Sequence, residues 1–207
     1  MFSSYINHLS ELFAHPLSVS ALAGLALLIG AFLYSKKLRL STQLLVQVAL
    51  ILALTVVLHQ LRLYHMPQGG SITFGAMVPL LLLSYRYGPG AGYLAGFLYG
   101  LINLLQDPFI VHPVQVLFDY PLPYMALGLA GYFKDRIMIG AVIAVTARFL
   151  CHFISGVVFF AAYAPEGTSP YLYSFLFNAS YLVPDLIICL ILLHFLPVKR
   201  LLDHMHN

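Results

Sequence analysis

Apolar residues in this chain run in long unbroken stretches, and polar residues gather between them. The stretches are residues 17–34, 41–61, 71–85, 89–106, 113–133, 137–163 and 171–197. None alternates with the period of two that a barrel strand requires, so each predicts a helix. About 20 residues cross the hydrocarbon core of a bilayer, with a range of roughly 17 to 25. On that scale the third stretch is short, and the last two are long enough to tilt or project outward. The pattern predicts an all-α, polytopic transmembrane helix bundle of seven spans.

Composition strengthens that reading. The chain has 207 residues, 61% hydrophobic and 8% charged, with mean hydropathy +0.90. Soluble domains carry about 25% charged residues, so this chain lacks the polar surface to face water. Its net charge of +3 is no nucleic-acid footprint, because the basic residues sit at span ends. Lys36, Lys37, Arg39, Arg86, Lys134, Arg136, Lys199 and Arg200 fall on one side, Arg62 on the other, and Arg148 inside a span. By the positive-inside rule the eight are cytoplasmic, the N-terminus is outside and the C-terminus inside. The first stretch has its basic cluster after the apolar run, so it reads as a retained anchor rather than a signal peptide. Cys151 and Cys189 both lie in apolar runs and read as small buried hydrophobes, with neither disulfide nor metal implied.

Within the fourth span, Gly92, Gly96 and Gly100 recur every four residues on one helix face. Small residues let helix backbones approach closely in lipid, and packing inside the fold is the expected use. Ala49 and Ala53 repeat the pattern more weakly in the second span. Ionisable residues inside spans are costly and therefore informative. They are Asp119, Arg148, His152 and Asp185. Arg148 and Asp185 each lie 12 residues from the cytoplasmic end of their spans, about 18 Å at 1.5 Å per residue. Antiparallel neighbours would bring them level, which predicts a structural Arg148–Asp185 ion pair.

Asp119 has no basic residue at its own depth. In the same outer layer lie His152, Asn178, Tyr173, Phe159, Phe160 and Tyr163. A carboxylate, an imidazole, an amide and aromatic faces suit a small, flat, cationic ligand. Outer connections 62–70, 107–112 and 164–170 add polar and aromatic residues on that side, and Pro121 and Pro123 loosen the helix beside the carboxylate. Catalytic motifs are missing. The sequence contains no HExxH, GxSxG, CxxC or P-loop, so it has no ATPase of the P-loop kind, and Cys151 and His152 point to different faces of a helix. A membrane enzyme built on Asp119 and His152 stays open as an alternative.

Three segments carry a family resemblance: MPQGGSITFGAMVPLLLLSYRYG, HPVQVLFDYPLPYMALGLAGYF and HFISGVVFFAAYAPEGTSPYLYSFLFN. They resemble the thiamine-specific substrate-binding (S) component of energy-coupling factor (ECF) transporters over residues 41–197. The resemblance implies a six-helix membrane core at 41–199 preceded by an extra anchor with its basic loop at 1–40, and followed by a short cytoplasmic tail at 200–207. It implies thiamine capture from outside, no cofactor, no metal and no enzymatic activity. It also implies partners: a transmembrane coupling (T) subunit, met by Ala49 and Ala53, and two ABC-type ATPase subunits in a bacterial cell membrane. The family's binding residues fall on Asp119, Tyr120, His152, Gly156, Phe160, Tyr173, Asn178 and Phe109. Two departures stand out. The chain has no tryptophan, so Phe160 would replace a stacking indole, and Asp119 stands where some members have Glu. A thiamine precursor or another vitamin is the alternative ligand on the same scaffold.

Overall fold

The computed structural model describes residues 16–35, 38–198, 200 and 201. Lys36, Lys37, Lys199 and the tail beyond residue 201, on which part of the orientation argument rests, lie outside the described residues. Seven apolar stretches become a helical bundle whose members differ in kind. Helices α1 (Pro16–Ser35), α2 (Thr42–Gln60), α7 (Ile137–Phe159) and α8 (Pro170–Phe195) are each long and apolar enough to cross a membrane. Between α2 and α7 lie α3 (Val78–Tyr87) and α4 (Pro89–Gln106), then α5 (Pro113–Asp119), α6 (Pro121–Ala126) and a 3-10 turn, Leu127–Tyr132.

Local chemistry sets the boundaries. Ser41 and Ser169 cap α2 and α8, each accepting from a backbone N–H three residues on at 3.2 Å. His112 caps α5 through Nδ1, and prolines open α4, α5, α6 and α8, where a missing N–H costs nothing. Tyr120 separates α5 from α6 at the point where Pro121 and Pro123 withdraw backbone donors.

Two expectations change here. The third stretch is not one helix over 71–85. Its first residues, Ser71–Thr73, form strand β2, antiparallel to β1 (Arg62–His65), and the helix begins only at Val78. The outer connection 62–70 is therefore a hairpin, and among the described residues the bundle carries one small sheet. The physical cause is the Gln-Gly-Gly turn: Gly69 and Gly70 both have positive φ, at 87° and 91°, which turns the chain back on itself. Sequence periodicity over so short an apolar run does not separate strand from helix.

The glycine face of α4 packs inside the fold. A Cβ on Gly96 would lie 2.3 Å from the Tyr124 carbonyl oxygen, and one on Gly100 would lie 2.6 Å from Tyr120 O. Helix α4 thus lies directly against the broken segment 120–128, and the core around it includes fully buried Tyr85, Tyr99 and Leu127. Ala49 and Ala53 are exposed on the outside of α2. Helix α1 lies against α4, α5, α6 and α7 and so leaves that alanine face open.

The connections sort to two ends. Arg62 bonds Asp107, His112 stacks on Phe159, and Phe109 meets Phe160 and Tyr163 at one end. At the other, Leu38 lies by Gly90, Gly131 by Pro89, and the Tyr85 hydroxyl bonds Ile137 O. The second end carries the exposed basic residues Arg39, Lys134 and Arg136. That is the alternation an N-out, C-in chain requires.

Candidate ligand-binding site

At the first end, α5, α7, α8 and the hairpin enclose a polar cavity. Its walls include Asp119, Tyr120, His152, Gly156, Phe160, Tyr173, Asn178 and Phe109, all eight of the residues singled out from sequence. The break after α5 leaves Asp119 at a helix end facing α7. Its Oδ2 accepts from Gln115 Nε2 at 2.5 Å, and its Oδ1 lies 3.3 Å from His152 Nδ1. Gln115 is therefore a neighbour of Asp119 that sequence reasoning had not paired with it. With the proton on Nδ1, His152 donates to the carboxylate and keeps Nε2 as an acceptor. That Nε2 is buried and has no hydrogen-bond partner among the described residues.

Asn178 is fixed on α8. Its Nδ2 donates to Ser174 O at 2.9 Å and reaches His152 O at 3.3 Å, and Tyr181 donates to its Oδ1 at 2.9 Å. Gly156 is required by the crossing of α7 and α8, since a Cβ there would lie 2.1 Å from Ser174 Oγ. Tyr173 lies beside Phe177 at the rim, with ring centroids 5.8 Å apart.

Phe109 stacks on Phe160 with centroids 5.8 Å apart and planes 26° from parallel. Two rings in contact leave no space for a third between them, and the free volume of the cavity is about 80 Å³, well under the roughly 300–1,000 Å³ of ligand pockets. The stacked pair closes that side of the cavity. The loop that carries Phe109 is held from below. Tyr120 donates its hydroxyl to Asp107 O and accepts from Phe109 N, while Gln115 donates to Phe109 O and accepts from Val111 N. Both tethers flank Asp119 in sequence, so the carboxylate and the loop share one scaffold.

Sequence reasoning missed several walls: Gln115, Tyr181, Gly70, Ser174, Phe177 and the deeper His59, Asn103 and Tyr124. Gln115 was findable, four residues before Asp119 on the same helix face. Gly70 stood in the turn signal, and a Cβ there would strike the Tyr181 ring at 2.7 Å.

The expected Arg148–Asp185 ion pair does not form. Among the described residues no ion pair within 4.0 Å joins them. Asp185 Oδ1 instead accepts from Thr73 N at 2.9 Å and Thr73 Oγ1 at 2.8 Å, clamping β2 to α8. Arg148 lays its guanidinium 4.2 Å from the centre of the Tyr124 ring, a cation–π contact. Counting depth along two helices could not foresee a strand that reaches Asp185 from outside the pair.

The pattern of the thiamine transporter protein family matches residues 45–203, from the first turn of α2 onward. Thiamine transporter ThiT of Bacillus subtilis strain 168 is 37% identical over 179 residues, covering 76% of this chain and 93% of that one. Thiamine transporter ThiT of Lacticaseibacillus paracasei is 30% identical over 122 residues, covering 49% of this chain and 61% of its own length. A solved structure of ThiT from Listeria monocytogenes shares the fold, with TM-score 0.69 at 24% identity, covering 78% of this chain and 96% of that one. Asp119 and His152 are close enough to act together, so spacing alone does not dispose of a membrane enzyme; kinship does. The match over most of the chain settles its kinship: it is a multi-pass membrane protein of the thiamine transporter protein family, a family of transporters and not of enzymes.

Proposed function

We propose that this protein captures thiamine in the Asp119 cavity and serves as the substrate-binding subunit of an ECF-type importer. One observation supports the first part above the others. A carboxylate, an imidazole nitrogen with no partner among the described residues and a pair of stacked aromatic rings share one cavity. Thiamine offers a match for each: a thiazolium cation, an aminopyrimidine N–H donor and two flat rings. A unit-charge pair at 4 Å is worth about 4 kcal/mol at an effective dielectric of 20. A cation over an aromatic face adds roughly 0.5–2 kcal/mol. The carboxylate therefore dominates the charge recognition, and Phe109 and Phe160 close over the rings after parting to admit them.

Energy coupling rests on other features. The sequence holds no P-loop, so ATP use falls to other subunits. The exposed Ala49 and Ala53 on α2 offer a flat, small-residue face, the kind that lets another membrane helix approach closely.

Titrating the detergent-purified protein with thiamine by calorimetry tests the first part. Saturable binding at sub-micromolar concentration, on the order expected for a well-buried small ligand, is the predicted result. No heat up to millimolar thiamine would end the proposal, and tighter binding of the isolated pyrimidine half would reassign the ligand. Co-purification with ATPase subunits, lost on Ala49→Trp and kept on Ile187→Trp, tests the second part; equal recovery of both variants would refute the assigned face.

A further inference from the structure

Helix α1 precedes the family-matched segment and packs on the core along its first half and again at its finish. Toward its start, Ser20 and Gly24 are buried, and a Cβ on Gly24 would lie 2.8 Å from Leu117 and 2.9 Å from Phe118. At its finish, Tyr34 meets Tyr93 and Tyr132 edge-on at 5.8 and 6.2 Å, and Ser35 reaches Gly90 O at 3.4 Å. Between these contacts the helix stands off. Ala26, Gly30 and Ala31 face Met125, Leu150 and Cys151 across a crevice of about 570 Å³, and nothing lies within 4 Å of where a Gly30 Cβ would be.

An apolar void of about 150 Å³ already draws in a benzene-sized molecule. A crevice several times larger, open to hydrocarbon along Leu27, Leu150 and Ile154, fills with what surrounds it. Its floor near Tyr34 and Tyr132 gives the occupant a direction. Phenol hydroxyls belong at the level of lipid headgroups, and exposed Arg39, Lys134 and Arg136 gather at that same end. Basic residues beside a crevice between spans on the cytoplasmic side favour anionic headgroups.

We propose that the crevice between α1 and the core is a binding site for an anionic phospholipid. Its acyl chain lies along Ala26, Gly30 and Cys151, and its headgroup meets Arg39, Lys134 and Arg136. The site makes α1 a clamp on a bound lipid instead of a simple anchor.

The test is native mass spectrometry of the full chain after reconstitution into vesicles of equal parts phosphatidylglycerol and phosphatidylcholine. The expected result is one retained phospholipid, predominantly phosphatidylglycerol. Gly30→Phe should reduce retention at least fivefold, and Lys134→Gln with Arg136→Gln should erase the preference, given a factor of about five per basic residue. No retained lipid, or equal retention by Gly30→Phe, overturns the site. Equal retention of the two lipids by the wild type overturns its anionic character, and dimers lost in Gly30→Phe would mean that a second copy fills the crevice. Should Gly30→Phe fail to fold, judged by gel filtration, the wild type decides. Cys189 is fully buried and Cys151 half-buried, so an apolar maleimide should alkylate Cys151 at least fivefold faster after delipidation. Equal rates with and without lipid would reject the proposal.

Discussion

Two aspartates lie inside the bundle, and their surroundings could hardly differ more. Asp185, 3% exposed, has Thr73 on one oxygen through both a backbone N–H and a hydroxyl. It lies off the cavity and ties the hairpin to α8. Asp119 has a side chain 17% exposed, is touched by one amide and one imidazole, and faces the cavity. A buried carboxylate is tolerated only when something satisfies it. At Asp185 the chain supplies the donors; at Asp119 it supplies some and leaves room for more. The first is a fastening, and on the proposed function the second is a receptor.

That contrast breaks if the two residues prove interchangeable. Asp119→Asn keeps the shape and removes the charge. With about 4 kcal/mol at stake for a close pair, we expect thiamine to bind at least about a hundredfold more weakly, with little change in unfolding temperature. Calorimetry and a thermal melt in detergent measure the two quantities. Unchanged affinity would mean that Asp119 does not face the cation. Asp185→Ala should do the reverse. It strips the Thr73 N–H of its acceptor, a loss of about 1–3 kcal/mol in stability, and affinity should fall only through the loosened hairpin that brings Gly70 and Ser71 to the cavity wall. A melt unchanged from wild type would show that the strand is held elsewhere.

How far the sequence could be read follows the same division. Helices α1, α2, α7 and α8 announce themselves, because long apolar runs have one stable form in lipid. Asp119 and His152 were visible because ionisable groups in hydrocarbon demand a reason. The hairpin was not visible, since a three-residue strand leaves no periodicity to detect. Its hidden presence misled the pairing of Arg148 with Asp185, because Thr73 enters from outside the two helices being counted. Gln115 was overlooked for another reason. A lone amide looks unremarkable until the loop it tethers, at Phe109 and Val111, is seen folded over it.

The smallest effect sharpens the account of the receptor. Phe160 is 8% exposed and stacked on Phe109. Its ring could serve as an apolar wall or as a negative π-face toward the cation. Phe160→Leu separates the two, because leucine keeps most of the apolar burial and deletes the face. A cation–π contribution of roughly 0.5–1.5 kcal/mol corresponds to about 2- to 12-fold weaker thiamine binding. An uncharged thiamine analogue, in which a neutral ring replaces the thiazolium, should lose less than twofold. If charged and neutral ligands weaken equally, Phe160 acts as a wall, and the whole charge recognition returns to Asp119. If only the cation suffers, the aromatic pair and the carboxylate divide the charge between them, and the partial closure of Phe109 over Phe160 is the resting form of a cation cage.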